Sequence, residues 1–288
     1  MSDDRGTVEK RRESTGGDGQ LPGGTDEESK PLGQESPEIV GDAADIGGKR
    51  LDRPPLGDVV TSVIGGMSIG FGVLAMAVVS ASLGGDPAPS AAHLVGSLAY
   101  PIAFVIIVFG KSELFTENFL LPVTGVLERR GSIRQLLALW GVSLVSNLAG
   151  AAIFAFLISR AGILDAATAE QISALATDVA GYPFWTALIK ALFAGWLMTI
   201  LTWLMLAVED RGAQLVVVWL IGTMIVLGEF THVIISGAEI LIAVFLGAPV
   251  SITGWLGGTF GPILAGNVLG GVLFVTMLHY VQAIYDTE

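Results

Sequence analysis

The chain has 288 residues, of which 52 % are hydrophobic and only 15 % charged, with 38 glycines and no cysteine. So apolar a composition at this length describes a polytopic membrane protein, and the lack of cysteine excludes disulfides and thiolate metal or redox chemistry. A net charge of -12 argues against a nucleic-acid partner, and three histidines are too few for a metal cage, so no cofactor is expected.

Residues 1–50 are dominated by Ser, Gly, Pro, Asp and Glu without an apolar period, which predicts a disordered acidic tail. The tail has neither the apolar core nor the cleavage site of a signal peptide, so insertion is expected through the first true span. Residues 51–288 form the predicted transmembrane domain. Its first span covers 59–83 and contains Gly65-Gly66 and Gly70-Phe71-Gly72, a small-residue face suited to close helix packing.

The second apolar stretch, 91–110, holds Pro101 and ends in Lys111-Ser112-Glu113-Leu114-Phe115-Thr116-Glu117-Asn118 before apolar sequence resumes to Val126. A charged interruption at membrane depth predicts a discontinuous helix, tolerated only where the backbone is buried in protein or lines a wet cavity. The third span is 132–158 and contains Asn147. A mixed linker, 159–181, is long enough for a short surface helix. The fourth span is 184–208, interrupted only by Lys190.

Residues 215–227 then run into Gly228-Glu229-Phe230-Thr231-His232, and 233–246 continue the apolar pattern, giving a second broken span. Ionisable groups at such depth are costly and mark functional sites. The sixth span starts near Gly261-Pro262, contains Asn267, and ends around Tyr285.

Two halves, about 55–160 and 182–286, repeat one another. Asn147-Leu148-Ala149-Gly150 is echoed by Asn267-Val268-Leu269-Gly270, and Glu113-Leu114-Phe115-Thr116 by Glu229-Phe230-Thr231, with one residue fewer in the second copy. Three spans per half is an odd number, so the repeat is inverted and both breaks should meet near the bilayer midplane. Loop cations give the orientation. Lys49, Arg50, Arg53, Arg129, Arg130, Arg134 and Arg211 fall on one side and Arg160 on the other, which puts both termini in the cytoplasm of a multi-pass inner or plasma membrane protein.

The motif Glu113-Leu114-Phe115-Thr116, the pair Phe230-x-His232 in the broken fifth span and Gly266-Asn267-x-x-Gly270-Gly271 together resemble the formate/nitrite transporter family over residues 55 to 285. The resemblance implies an aquaporin-like all-α protomer of six spans, a homopentamer with one pore per protomer, and passage of small monovalent anions such as formate, nitrite, hydrosulfide or lactate. It further implies that Leu114, Phe115 and Thr116 form a constricting loop, that His232 is the central imidazole, and that Asn267 is a polar contact near it. By spacing, the resemblance also implies that Tyr100 and Phe104 stand at the cytoplasmic narrowing and Ile225 at the outer one. Well-studied relatives carry a glutamate where this chain has Thr231, and asparagines where it has Gly195 and Ser236. Extra charge stands instead at Lys111, Glu229 and Glu239.

An unpaired anion meets a barrier of several kcal/mol between two apolar rings. His232 is expected to lower it by offering a hydrogen bond or a proton, so that the substrate crosses as a weak acid or with its proton. Broken-helix N-termini and Lys190 are expected to attract the anion first. Lys111, Glu113, Glu229 and Glu239 can alternatively pair among themselves as structural ion pairs, and Lys190 can snorkel. Two rival functions fit less well. An intramembrane serine protease would use Ser236-Gly237 with a histidine such as His279, but Ile234 stands where such enzymes carry glycine. A water or small neutral solute channel would need Asn-Pro-Ala in its breaks, which neither has.

Overall fold

The computed structural model describes residues 34–84, 91–160 and 162–286. All of these lie in one compact unit, Gly33–Glu288. The expected tail divides accordingly: residues 1–33 lie outside the described residues, whereas the rest is not disordered. Helix α1, Ser36–Leu51, has Pro37 in its first turn and Lys49 and Arg50 in its last, where a cation suits the helix dipole. Its buried face is Ile39, Ala43, Ala44, Gly47, Gly48 and Leu51. That face repeats every four residues but is built largely from alanine and glycine, too weak a signal in an acidic sequence. It packs on the helix Leu121–Leu127, where Gly47 lies so close to the Leu121 carbonyl that a Cβ would overlap it.

The helices that follow are α2 (Pro55–Ser82), α3 (Ala91–Ala99), α4 (Ile102–Phe109), α5 (Leu121–Leu127) and α6 (Ile133–Ile158). The second half holds α7 (Ala166–Gly181), α8 (Phe184–Ala207), α9 (Arg211–Leu227), α10 (Val233–Leu246), α11 (Ile252–Gly257), α12 (Phe260–Val268) and α13 (Leu278–Tyr285). Among the described residues five helices are long and apolar enough to cross a membrane: α2, α6, α8, the continuous Ala91–Phe109 and Phe260–Tyr285. The shorter apolar pair α9 and α10 makes the broken element. A π-helical stretch, Leu269–Met277, joins α12 to α13.

The repeat is visible in packing. In the first half α2 crosses α6 where Gly66 touches the Asn147 carbonyl, and in the second half α8 crosses α12 where Gly195 touches the Asn267 carbonyl. Neither contact leaves room for a Cβ. The absence of a side chain at Gly195 is therefore the condition for the helix crossing itself.

The linker helix α7 departs from the expected surface helix. Asp165 caps it, accepting from Thr168 N–H at 2.8 Å, and these backbone and side-chain hydrogen bonds hold the Asp165 carboxyl below its ordinary pKa. Its inner face, Ile172, Ala176 and Val179, is buried against α10 and α2. α7 thus walls the interior rather than lying on it.

Candidate functional site

Each broken element turns at a residue in the left-handed region, Lys111 with φ 59° and Glu229 with φ 51°. Past that turn the backbone groups freed by the break need partners, and one asparagine supplies them in each half. Asn147 Oδ1 accepts from Phe115 N–H at 2.7 Å, and its Nδ2 donates to the carbonyls of Ser62 (2.6 Å) and Glu113 (2.9 Å). Asn267 Oδ1 accepts from Val233 N–H at 2.8 Å, and its Nδ2 donates to the carbonyls of Ala191 (2.8 Å) and Thr231 (3.0 Å). The amides are equivalent and fully engaged. Asn267 bonds the backbone on either side of His232, at Thr231 and Val233, so its polar atoms hold backbone.

These bonds also correct the register of the repeat. They match Phe115 with Val233 and Glu113 with Thr231, and the left-handed turns match Lys111 with Glu229. The apparent echo between Glu113 and Glu229 is therefore displaced by two residues. Similar letters fall there because both breaks need short polar segments.

The breaks meet at His232 and Thr116. His232 is the N-cap of α10, and its Nδ1 accepts from the N–H groups of Ile234 (3.2 Å) and Ile235 (3.3 Å). A nitrogen facing two N–H donors must carry a lone pair, so the ring proton is assigned to Nε2. Nε2 lies 2.7 Å from Thr116 Oγ1, to which it donates. Both residues are fully buried. Accepting from the ring leaves the Thr116 hydroxyl hydrogen for an acceptor of its own. A second proton on Nδ1 would face the two helix N–H groups at the positive end of α10, so the geometry favours a neutral imidazole.

Other expected residues surround this pair. Leu114 and Phe115 are buried, and Phe115 stacks edgewise on Phe119 at 5.0 Å. Phe230 lies over Phe193 at 5.2 Å, and Thr231 Oγ1 donates to the Ala187 carbonyl at 3.3 Å. Phe104 packs on Gly222, close to where α4 and α9 cross. Tyr100 does not sit on the arginine-bearing side as expected. It packs against Gly72, seventeen residues into α2, whereas the break at Glu113 packs against Gly65, two helical turns nearer Arg53. The chain enters α3 from the opposite face, so an earlier residue in α3 and α4 is the farther one from the arginines.

A cavity of about 280 Å³ leads to His232 from the α7 side, lined by His93, Leu175, Asp178, Tyr182, Ile225, Glu229, Phe230, Thr231, Ser236 and Glu239 among others. Lys190 stands beside it, 2.7 Å from Glu229 Oε2 and 3.3 Å from Tyr182 Oη, with its ammonium 4.7 Å from the centre of the Tyr182 ring. Burial raises the Tyr182 phenol above its ordinary range against the pull of Lys190, so it is a neutral donor. His93, Asp178 and Tyr182 were not singled out in the sequence. A histidine in an apolar stretch was the available signal for His93, while Asp178 and Tyr182 read as linker until α7 is seen to pack inward.

The opposite side has its own cluster. Glu113 is held by Arg53 (2.8 Å) and Arg50 (3.4 Å), Arg53 also reaches Asp58 (3.4 Å), and Arg50 donates to Asn118 Oδ1 (3.0 Å). Burial works against the charge of Arg53, but the hydrogen bond and charge of Glu113, with Asp58, hold its pKa above the ordinary arginine value. Glu113 is a structural ion-pair residue, with arginines as partners rather than Lys111. Glu229 likewise takes Lys190.

The protease alternative finds no support in this geometry. Ser236 N–H donates to the His232 carbonyl within the helix, and His279 accepts no serine hydroxyl but contacts the Val275 carbonyl at 3.0 Å on the last helix.

Comparison with known proteins agrees with this architecture. The model of the formate/nitrite transporter family matches residues 37–281. The inner membrane protein YfdC of Escherichia coli (strain K12) is 28 % identical over 238 residues, 82 % of this chain and 75 % of its own length. Among solved structures, one described as an FNT family ion channel superposes with a TM-score of 0.76 at 21 % identity, covering 85 % of this chain and 98 % of the other. A pentameric formate channel with formate bound superposes with a TM-score of 0.68 at 20 % identity, covering 80 % and 98 %. The chain is a multi-pass membrane protein and belongs to the formate/nitrite transporter family.

Proposed function

We propose that the chain is a channel for small monovalent weak-acid anions of the formate type, crossing as the anion with hydrogen-bond donors or as the conjugate acid. The observation that carries this reading is the His232–Thr116 contact, which joins the two breaks at the inner end of the cavity. An oxygen acceptor arriving there takes the Nε2–H of His232 and the O–H of Thr116 in place of their mutual bond. When it leaves, the pair closes again and the buried ring N–H regains its acceptor. Leu114 and Phe115 on one side and Phe230 with Ile225 on the other supply apolar narrowings that strip water, so that donors at the centre act in a low dielectric. Tyr100 and Phe104 act as wall between them.

The resemblance to the pentameric formate channel supports formate as the first substrate to test and a homopentamer as the assembly. The arginine-rich face supports a cytoplasmic location for both termini. The decisive experiment is a flux panel in proteoliposomes over formate, nitrite, hydrosulfide, lactate, acetate and chloride at several pH values. Formate flux above protein-free vesicles, lost in His232→Phe, is the expected result. Flux unchanged in that variant, or chloride flux independent of pH, overturns the reading.

A further inference from the structure

The cavity that leads to His232 carries a group the anion-channel reading does not use. Along α10, His232, Ile235, Ser236 and Glu239 all line it, and their spacings of three and four residues put them on one face of the helix. Glu239 lies two turns from His232, about 10 Å along the axis. It therefore shares with His232 the cavity through which an anion from the α7 side would come. The Glu239 side chain belongs to a residue only 8 % exposed, and among the described residues neither a hydrogen bond nor an ion pair engages it. An ionised carboxylate in that place has no counter-charge, and it repels the ions that the cavity is otherwise shaped to deliver.

The surrounding groups do not neutralise it. From the second break, Glu229 is already matched by Lys190 of α8. α7 contributes Asp178 and, at its end, Tyr182. α3 contributes His93 to the cavity lining, while Tyr100, at the α3–α4 junction, has a buried hydroxyl outside that lining. His232 closes the inner end. The charged residues of the other packed helices, Asp58 of α2 and Arg134 of α6, stand at their far ends, and α11 and α12 carry none. Two imidazoles, one phenol, the Lys190-paired Glu229 and one further carboxylate, Asp178, therefore share the cavity with Glu239.

We propose that Glu239 is the specificity-determining residue of this vestibule, whose carboxyl must hold a proton for an anion to pass. Protonated, it is a neutral O–H donor that receives a carboxylate or nitrite oxygen on the way to Thr116 and His232. Ionised, it closes the same route to anions by charge while leaving neutral acids free to enter. The proton is exchanged with the bulk on the cavity side and none is transferred to the substrate. This rests on the anion-channel reading and adds a pH dependence beyond the substrate's own titration.

The test uses the full chain in proteoliposomes with radiolabelled formate as probe, comparing Glu239→Gln, a permanent neutral donor, with the wild type at equal internal and external pH between 5.5 and 8.5. Because both proteins see the same fraction of formic acid, the ratio of their fluxes isolates the residue. The ratio of E239Q to wild type is expected to rise with pH by on the order of tenfold, the scale of removing one charge about 10 Å away at an intermediate dielectric. A ratio that stays constant across pH overturns the proposal. If E239Q does not assemble, infrared difference spectra of wild type labelled with 13C-glutamate, against Glu239→Asp, take its place. A protonated-carboxyl band that is lost as pH rises, and shifts in the aspartate variant, supports the proposal, and its absence at every pH overturns it. Wild type without formate flux above empty vesicles is a separate result, since it overturns the channel reading on which this one stands.

Discussion

His232 Nε2 and Thr116 Oγ1 lie 2.7 Å apart although 116 residues separate them in sequence. Each belongs to the break of one repeat half, so the contact is where the inverted halves are tied together. Removing the hydroxyl leaves the ring N–H buried without an acceptor, which costs about 1–3 kcal/mol. Thr116→Val should therefore reduce formate flux in proteoliposomes by at least about tenfold and lower thermal stability in detergent. Thr116→Ser restores the hydroxyl and should recover most of both. A serine variant as poor as valine would mean that the methyl group, not the hydrogen bond, is what the site needs.

Asn147 and Asn267 differ from that pair in kind, because every hydrogen bond they make goes to backbone. Asn147→Ala and Asn267→Ala each strand two buried backbone groups freed by the break and remove a second bond from a helical carbonyl, and should each cost roughly 2 kcal/mol or more. The two losses should be similar, as read from thermal unfolding of the purified protein. A pore role peculiar to Asn267 would show as lost flux with little lost stability, a pattern not expected here.

These residues show how far the sequence could be read. The breaks were legible because charge at membrane depth has few explanations, and Asn147 and Asn267 stood out as polar groups at matching intervals. Register was not, since Glu113 and Glu229 look alike while the hydrogen bonds match Glu113 with Thr231. Ion pairing was hidden for a similar reason. Arg50, Arg53 and Glu113 are distant in sequence and meet only after α1 has seated, and α1 itself is written in alanine and glycine rather than leucine.

The seating of α1 gives a third prediction. Gly47 abuts the Leu121 carbonyl and leaves no space for a side chain, so Gly47→Val should lift the helix from α5 and loosen the hold of Arg50 on Asn118 and Glu113. Tryptic cleavage after Lys49 or Arg50 should then be several-fold faster than in wild type, while cleavage after Arg160 on the other face is unaffected. Equal rates at both sites in the two proteins would argue against the seating role.

The pair of Lys190 and Glu229 makes the last prediction, and its value lies in access rather than stability. Their side chains are 24 % and 48 % exposed, so the ion pair is worth about 0–1 kcal/mol and its loss should hardly move the unfolding temperature. What it does is cancel the cation that stands beside the cavity. Glu229→Gln releases that charge, and initial formate uptake at low ionic strength should rise a few-fold. Lys190→Met leaves the carboxylate unopposed and should lower it. Raising salt to about 0.5 M shortens the Debye length to a few ångströms and should bring the variants together. If both variants behave alike, or differ equally at every salt concentration, the effect is not electrostatic steering, and Lys190 serves only to fix the turn at Glu229.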